Sequence, residues 1–387
     1  MAAGFLDRAG LPARCVDLAV EPLTDDAIDG AEVAVISVPM HTALRLGAGA
    51  ARRIRTRNPG CRLIFTGLYA PMNEAYLRSL GADAVLGGEY EQALVDLIRD
   101  DGAAQSPIQR HKLTFPLPAR TGLPPLARYA HLIDARGEHR VIGYAETSRG
   151  CLDLCRHCPV PAVYGGRFFV VDRDVVLADI DRQIEAGAGH ITFGDPDFLN
   201  GPGHSLSVVR ELHRRHPEVS FDITTQVSNL LRHRDRLAEL AELGCAFAVS
   251  AVESLSDRVL SMLGKRHRRA DIDRLLDLCR AAGLELRPTF VTFTPWTELD
   301  DLRELVDLIE DRDLIDNVDP IQLTIRLLVP PGSLLLDTDA TAAAFDELDP
   351  AALTHRWTHR DPRVDRLQEE LAARVARAAD DREDPHQ

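Results

Sequence analysis

Apolar residues in the first hundred positions fall into short runs separated by longer amphipathic stretches. The runs at 15–20, 33–38, 63–67 and 84–88 have strand length and turn residues at their ends. The stretches at 43–56, 73–80 and 91–99 repeat their apolar residues at helical spacing, and 5–9 predicts one more short helix. Strands that are apolar throughout and alternate with helices predict a parallel sheet covered on both faces. The same rhythm resumes after residue 140. It predicts strands at 141–145, 190–194, 220–225, 246–251, 285–293 and 322–328, and helices at 175–186, 206–216, 235–243, 272–282 and 299–310. Each connection is long enough for a parallel crossover. Six such βα units are too few to close an eight-stranded barrel, so an open partial barrel is expected, with its chemistry at the C-terminal strand ends.

Between the two regions lie Pro107, Pro116, Pro118, Pro124 and Pro125, which forbid a long helix. The expected organisation is therefore a small α/β domain over 1–100, a proline-rich linker over 101–140, a barrel over 141–335 and a C-terminal extension over 336–387. The extension predicts one helix at 364–379 and a charged, disordered end.

Charge narrows the choice of partners. The 387 residues carry 45 Lys and Arg against 60 Asp and Glu, a net charge of −15. That balance argues against a nucleic-acid-binding surface. No apolar run is long enough to span a membrane, and the N-terminus lacks the basic-then-apolar pattern of a signal peptide. A cytoplasmic enzyme acting on a small molecule is expected. Of the seven cysteines, Cys15, Cys61, Cys245 and Cys279 are scattered in apolar or helical contexts and read as free buried thiols.

The other three are the most specific signal in the chain. Cys151, Cys155 and Cys158 stand in the spacing C-x3-C-x2-C, between Gly150 and Pro159. Three thiolates on one loop hold three corners of a [4Fe-4S] cube and leave the fourth iron open to a small molecule. Zinc commonly takes four ligands from paired knuckles, and no second knuckle exists here. His157 lies between two of the cysteines, an awkward place for a fourth ligand.

The motif and its βα setting resemble the radical S-adenosylmethionine (radical SAM) superfamily. The resemblance implies that Cys151, Cys155 and Cys158 ligate a [4Fe-4S] cluster whose open iron chelates SAM, and that the His157 region lies against the adenine. Gly194, Asp195 and Asp197, after the second strand, match the stretch that receives the SAM ammonium; the alternative is a plain Asp-Pro turn. Ser250 and Glu253, after the fourth strand, are placed to bond the ribose hydroxyls; the alternative is a helix cap by Ser254 or Ser256. The basic run Lys265–Arg269 is either a solvated turn or a contact for a carboxylate or phosphate. Arg326 is expected to enter the barrel toward a carboxylate.

Residues 1–100 resemble the cobalamin-binding Rossmann-like domain that precedes many such barrels, with its first strand missing. Residues 37–41 and the Gly87-Gly88 turn fall where that domain meets the corrin. The Asp-x-His-x-x-Gly loop of base-off cobalamin proteins is absent, which weighs against cobalamin and leaves His41 a structural reading. The whole chain most resembles the radical SAM subgroup with a cysteine- or selenocysteine-bearing tail, through residues 157–161, 165–168, 193–204 and 288–296. No cysteine follows Cys279, so that tail's chemistry does not transfer.

The fold class implied is α/β, a Rossmann-like cobalamin-binding-type sheet followed by a partial (βα)6 radical SAM barrel. The function implied is reductive cleavage of SAM to start a radical reaction on a small molecule, with 3-amino-3-carboxypropyl transfer as one form. Such an enzyme needs an electron donor such as flavodoxin or ferredoxin. A cobalamin-dependent radical methyltransferase and a non-catalytic iron–sulfur protein are the alternatives.

Overall fold

The computed structural model describes residues 1–100, 106–133 and 137–381. The charged end expected to be disordered falls outside the described residues from position 382 onward. The chain divides into two compact units. The first comprises 1–152, 159–194 and 206–219, and the second 153–158, 195–205 and 220–387.

The first unit opens with a parallel sheet in the order β1 (Val33–Ser37), β2 (Arg62–Thr66), β3 (Ala84–Gly88), β4 (Ile108–Gln109). Val35 pairs with Ile64, Ile64 with Ala84 and Gly87 with Ile108. Burial drives this arrangement. Ile64 and Leu86 pack against Ala93, Leu94 and Leu97 on one face of the helix Glu91–Arg99. Each such aliphatic side chain contributes about 2 kcal/mol when fully buried.

The expected strand at 15–20 does not form. Its apolar run is genuine, but Asp17 closes the segment into a turn. Asp17 Oδ1 accepts from the Ala19 amide at 3.0 Å, and the Asp17 carbonyl accepts from Val20 and Glu21. An aspartate that bonds its own backbone competes directly with a ladder. A strand that the sequence pattern does not show, β4, extends the sheet instead, inside the stretch expected to be a linker.

The first unit continues with β5 (His131–Ile133), β6 (His139–Ala145), the short antiparallel pair β7 (Ser148–Gly150) and β8 (Phe168–Val170), and β9 (His190–Phe193). β5 runs antiparallel to β6, and β6 runs parallel to β9 with Ala145 opposite Phe193. Arg120 fixes the proline-rich stretch in place. Its Nε and Nη2 form two 2.7 Å bonds to Asp179, and Nη2 also donates to the Tyr144 carbonyl.

The second unit holds the parallel strands β10 (Ser220–Thr225), β11 (Cys245–Glu253) and β12 (Glu285–Phe290). The sixth expected strand is reduced to one parallel bridge, Phe293 to Arg326. Pro320 starts a 3-10 helix over Pro320–Thr324, in which the Gln322 amide donates to Asp319. Gln322 then serves the edge of β12 through its side chain, whose Oε1 accepts from the Phe290 amide at 3.0 Å. Arg326 does not face a substrate. Its guanidinium lies 3.5 Å from the Trp357 ring centroid and donates to Asp365 and to the Trp357 carbonyl. It thereby secures the C-terminal helix Pro362–Asp380 to a core of Val259, Leu263, Phe293, Leu327, Val329, Trp357 and Val364. No helix among the described residues is long and apolar enough to cross a membrane.

Gly88 ends β3 at φ +72°, and a Cβ there would collide with the Gln109 carbonyl on β4. Left-handed backbone and close approach together make glycine obligatory at this position. Replacing Gly88 by alanine should therefore destabilise the protein by about 2 kcal/mol or more, measured as a lower denaturation midpoint with an unchanged m-value.

Candidate functional site

The thiol loop enters from β7. Gly150 sits at φ +77°, and a Cβ there would strike the Arg167 carbonyl and lie 2.7 Å from the Tyr164 ring. The chain turns into Cys151 because no side chain stands in that space. The helix Pro159–Tyr164 follows the last cysteine, and Pro159 at its start costs no hydrogen bond. All seven cysteines are unbridged; Cys151 and Cys155 are buried and Cys158 is partly so.

In the second unit the loop rests on the turn after the helix Asp257–Leu263. The Arg156 amide donates to the Leu263 carbonyl at 2.8 Å, its guanidinium reaches the Ser261 and Met262 carbonyls, and Ser333 Oγ donates to its carbonyl. Arg266 pairs with Asp153 at 3.0 Å. Gln226 Nε2 donates to Cys155 Sγ at 3.5 Å. Burial pushes the Cys155 thiol up from its ordinary value, with Lys265 and Gln226 pulling the other way.

His157 and Glu253 come together. His157 Nε2 lies 3.1 Å from Glu253 Oε1, and Lys265 Nζ lies 3.3 Å from the same oxygen. Glu253 adopts φ +69°, rare for a residue with a side chain, where the β11–β12 register shifts. Burial alone would raise its carboxyl, yet Lys265 and His157 more than offset that and hold it at about 2. The Glu253 carboxylate thus bonds to the buried Lys265 ammonium and to the His157 ring. Ser250, on the same strand, is fully buried and its Oγ has no partner. It remains the β11 group with a free hydrogen bond to offer a ligand.

Asp197 is also committed. Its carboxylate accepts from Thr225 Oγ1 at 2.6 Å, Asn229 Nδ2 at 2.5 Å and the Leu199 amide at 3.2 Å. Burial pushes it up to about 6, and those three bonds restrain the shift. Asp195 is buried as well. A Cβ on Gly194 would run into the Tyr144 hydroxyl and ring, so the close approach expected there is made by Tyr144.

The donor set fits an iron–sulfur cluster and SAM. Three unbridged thiols on one loop are soft ligands for iron. The Lys265 side chain, 1% exposed, is a buried cation whose charge acts on Cys155 and Cys158. Thiolates and a reduced cluster are negative, and a cation in a low-dielectric site meets that charge. Unpartnered buried atoms, Ser250 Oγ and His157 Nδ1, are what an absent polar ligand leaves behind.

The sequence reading grouped Lys265 with four neighbours as one basic run. The structure separates them, burying the Lys265 and His267 side chains and leaving Arg266 and Arg268 exposed. The available signal was Gly264, a left-handed helix end at φ +72° that turns the next side chain inward. Gln226 carried no signal, because its role depends on β10 reaching the loop.

Residues 145–309 match the model of the radical SAM superfamily. The chain carries a radical SAM domain, and that family works with a [4Fe-4S] cluster and SAM. Among curated proteins, the threonylcarbamoyladenosine tRNA methylthiotransferase MtaB of Thermotoga maritima is 22% identical over 67% of this chain and 59% of its own length. The bacteriochlorophyllide d C-8(2)-methyltransferase of Chlorobaculum tepidum is 22% identical over 66% and 58%. The chain thus spans about 60% of the length of these relatives.

Among solved structures, the cobalamin-dependent SAM radical enzyme OxsB with aqua-cobalamin and SAM superposes with a TM-score of 0.69 at 14% identity, covering 97% of this chain and 63% of OxsB. The methyltransferase TsrM of Kitasatospora setae gives 0.62 at 18% identity, covering 81% and 68%. These likenesses show the fold: a parallel sheet of cobalamin-binding type and a curled half-barrel. The curated relatives named here transfer methyl or methylthio groups, so the expected 3-amino-3-carboxypropyl transfer finds no support.

Because Glu253 is held below its unfolded value, it stabilises the native state above pH 4.5, and that contribution disappears as pH falls from about 4.5 to about 2. The contribution is on the order of 3 kcal/mol. Glu253→Gln should lower stability at pH 7 and flatten the acid limb of the stability–pH curve. An unchanged acid limb, followed by circular dichroism, would show that the triad carries no such energy.

Proposed function

We propose that this chain is a radical SAM enzyme of the methyl-transferring kind, acting on a small molecule and using cobalamin as the methyl carrier. The observation that carries the reading is fold likeness over 97% of the chain to a cobalamin-dependent SAM radical enzyme, joined to three unbridged thiols in the C-x3-C-x2-C spacing. Cys151, Cys155 and Cys158 would hold the cluster, which when bound supplies the electron that cleaves SAM. Lys265 and Gln226 meet the charge on the thiols, Glu253 orients His157 and Lys265, and Ser250 Oγ offers a hydrogen bond to SAM. Gly194 and Asp195 stand beside the expected ammonium position, and Asp197 braces the segment after β9.

Cobalamin would lie over the strand ends at Pro39–His41 and Gly87–Gly88. The missing Asp-x-His-x-x-Gly loop means that no histidine of that motif serves as its lower ligand. The acidic balance favours a small substrate over tRNA, on which one relative acts by name. A flavodoxin- or ferredoxin-type donor would supply electrons.

Protein made with cobalamin supplied, reconstituted anaerobically with iron and sulfide, should show corrin absorbance and convert SAM to S-adenosylhomocysteine under reduction. Corrin-free protein that turns SAM into methylthioadenosine would overturn the methyl-transfer reading. Alanine at Cys151, Cys155 or Cys158 should abolish cluster loading, read as iron per chain. Alanine at Cys245, a buried thiol on β11, should leave loading intact and lower only stability, by about 1 kcal/mol.

A further inference from the structure

Within the first unit a buried charge cluster lies outside the roles assigned above. Arg149 stands two residues before Cys151, on β7. Its Nη1 donates to Glu91 Oε1 at 2.5 Å, and its Nε to Glu146 Oε2 at 3.0 Å. Glu89 Oε1 lies 4.0 Å from the guanidinium. The Glu89 and Glu91 side chains are completely buried and Arg149 nearly so. The Arg149 guanidinium carbon lies 5.0 Å from the centroid of the Phe115 ring, and Tyr164 OH donates to Glu89 Oε1 at 3.2 Å. One oxygen of each glutamate, Glu89 Oε2 and Glu91 Oε2, is buried without a partner.

For stability alone this is an expensive design. Buried ion pairs often contribute no more than apolar packing, and orphaned carboxylate oxygens add a penalty. What such a network supplies is geometry. Glu89 follows β3 directly and Glu91 begins the helix Glu91–Arg99, so both carboxylates sit on rigid elements. The planar Arg149 fork, held from two sides, fixes the backbone that passes through Gly150 into Cys151. Pairing of Arg149 with Phe169 across β7 and β8 leaves that backbone little other freedom.

We infer that Arg149 is a positioning residue, a strut clamped by Glu91 and Glu146 that ties the end of β3 to the first cluster thiol and sets where Cys151 presents its sulfur. The inference rests on the reading of Cys151 as a cluster ligand.

The test compares wild type, Glu91→Gln, Arg149→Lys and, as a control ion pair elsewhere in the same unit, Asp179→Asn. All are studied as the full chain, both cluster-free and reconstituted. In cluster-free protein, amide exchange at 148–152 should quicken about tenfold in Glu91→Gln and leave β9 unchanged. In reconstituted protein, the same variant should lose iron to a chelator about tenfold faster and show an altered electron paramagnetic resonance spectrum of the reduced cluster. Arg149→Lys, which keeps the charge and loses the fork, should restore the chelation rate in part and not the exchange. Asp179→Asn should move neither.

Wild-type exchange and a wild-type spectrum in both Glu91→Gln and Arg149→Lys would overturn the strut. A wild type that assembles no cluster, with exchange at 148–152 still responding to Glu91→Gln, would instead refute the functional reading and leave the strut standing.

Discussion

A buried carboxylate, Glu253, sits between the Lys265 ammonium and the His157 ring, and the geometry of the thiol loop in the second unit depends on it. His157 belongs to the loop, and Lys265 to the turn on which the loop rests. A carboxylate in a dry interior is stable only when its charge is met. Two cationic or hydrogen-bonding partners on one oxygen meet it, and in return they are oriented by it. The positive φ of Glu253 shows that the strand end is bent to make this contact. Strain of that kind persists only where the surroundings enforce it, and it collects at functional sites.

The arrangement gives a physical account of how the part of the thiol loop in the second unit, with Cys155 and Cys158, is held in place. Backbone bonds from Arg156 hold the middle of the loop to the end of a helix, and Gln226 approaches Cys155 from β10. Lys265 adds a charge of the sign that thiolate and sulfide require. Arg149 does comparable work on the other side of Gly150, where glutamates after β3 clamp it.

Two of the residues that the motif reading placed around SAM, Glu253 and Asp197, turn out to be occupied by protein partners. Both are acidic, Glu253 ends β11 and Asp197 follows β9, and both sit where sequence motifs place ligand contacts. Their hydrogen bonds explain why: Glu253 serves Lys265 and His157, while Asp197 joins β10 and the segment Val227–Arg232 to its own backbone turn. Ser250, whose hydroxyl faces no protein partner, is the better placed of the β11 pair to meet a bound molecule.

The chain's own order of residues determined the spacing of Cys151, Cys155 and Cys158 and the alternation of strands and helices. These are local properties: they follow from side-chain period and ligand type, both of which act over a few residues. It did not determine that 15–20 would turn on Asp17, that Gln322 would replace a strand, or that Arg326 would face Trp357. Nor did it distinguish Lys265 from the arginines beside it, or Arg149 from a solvated charge. Those outcomes are decided by partners 30 to 60 residues distant for Gln322, Arg326 and Arg149, and by burial. The charge and hydrogen-bond energies that select them exist only once tertiary packing has excluded water.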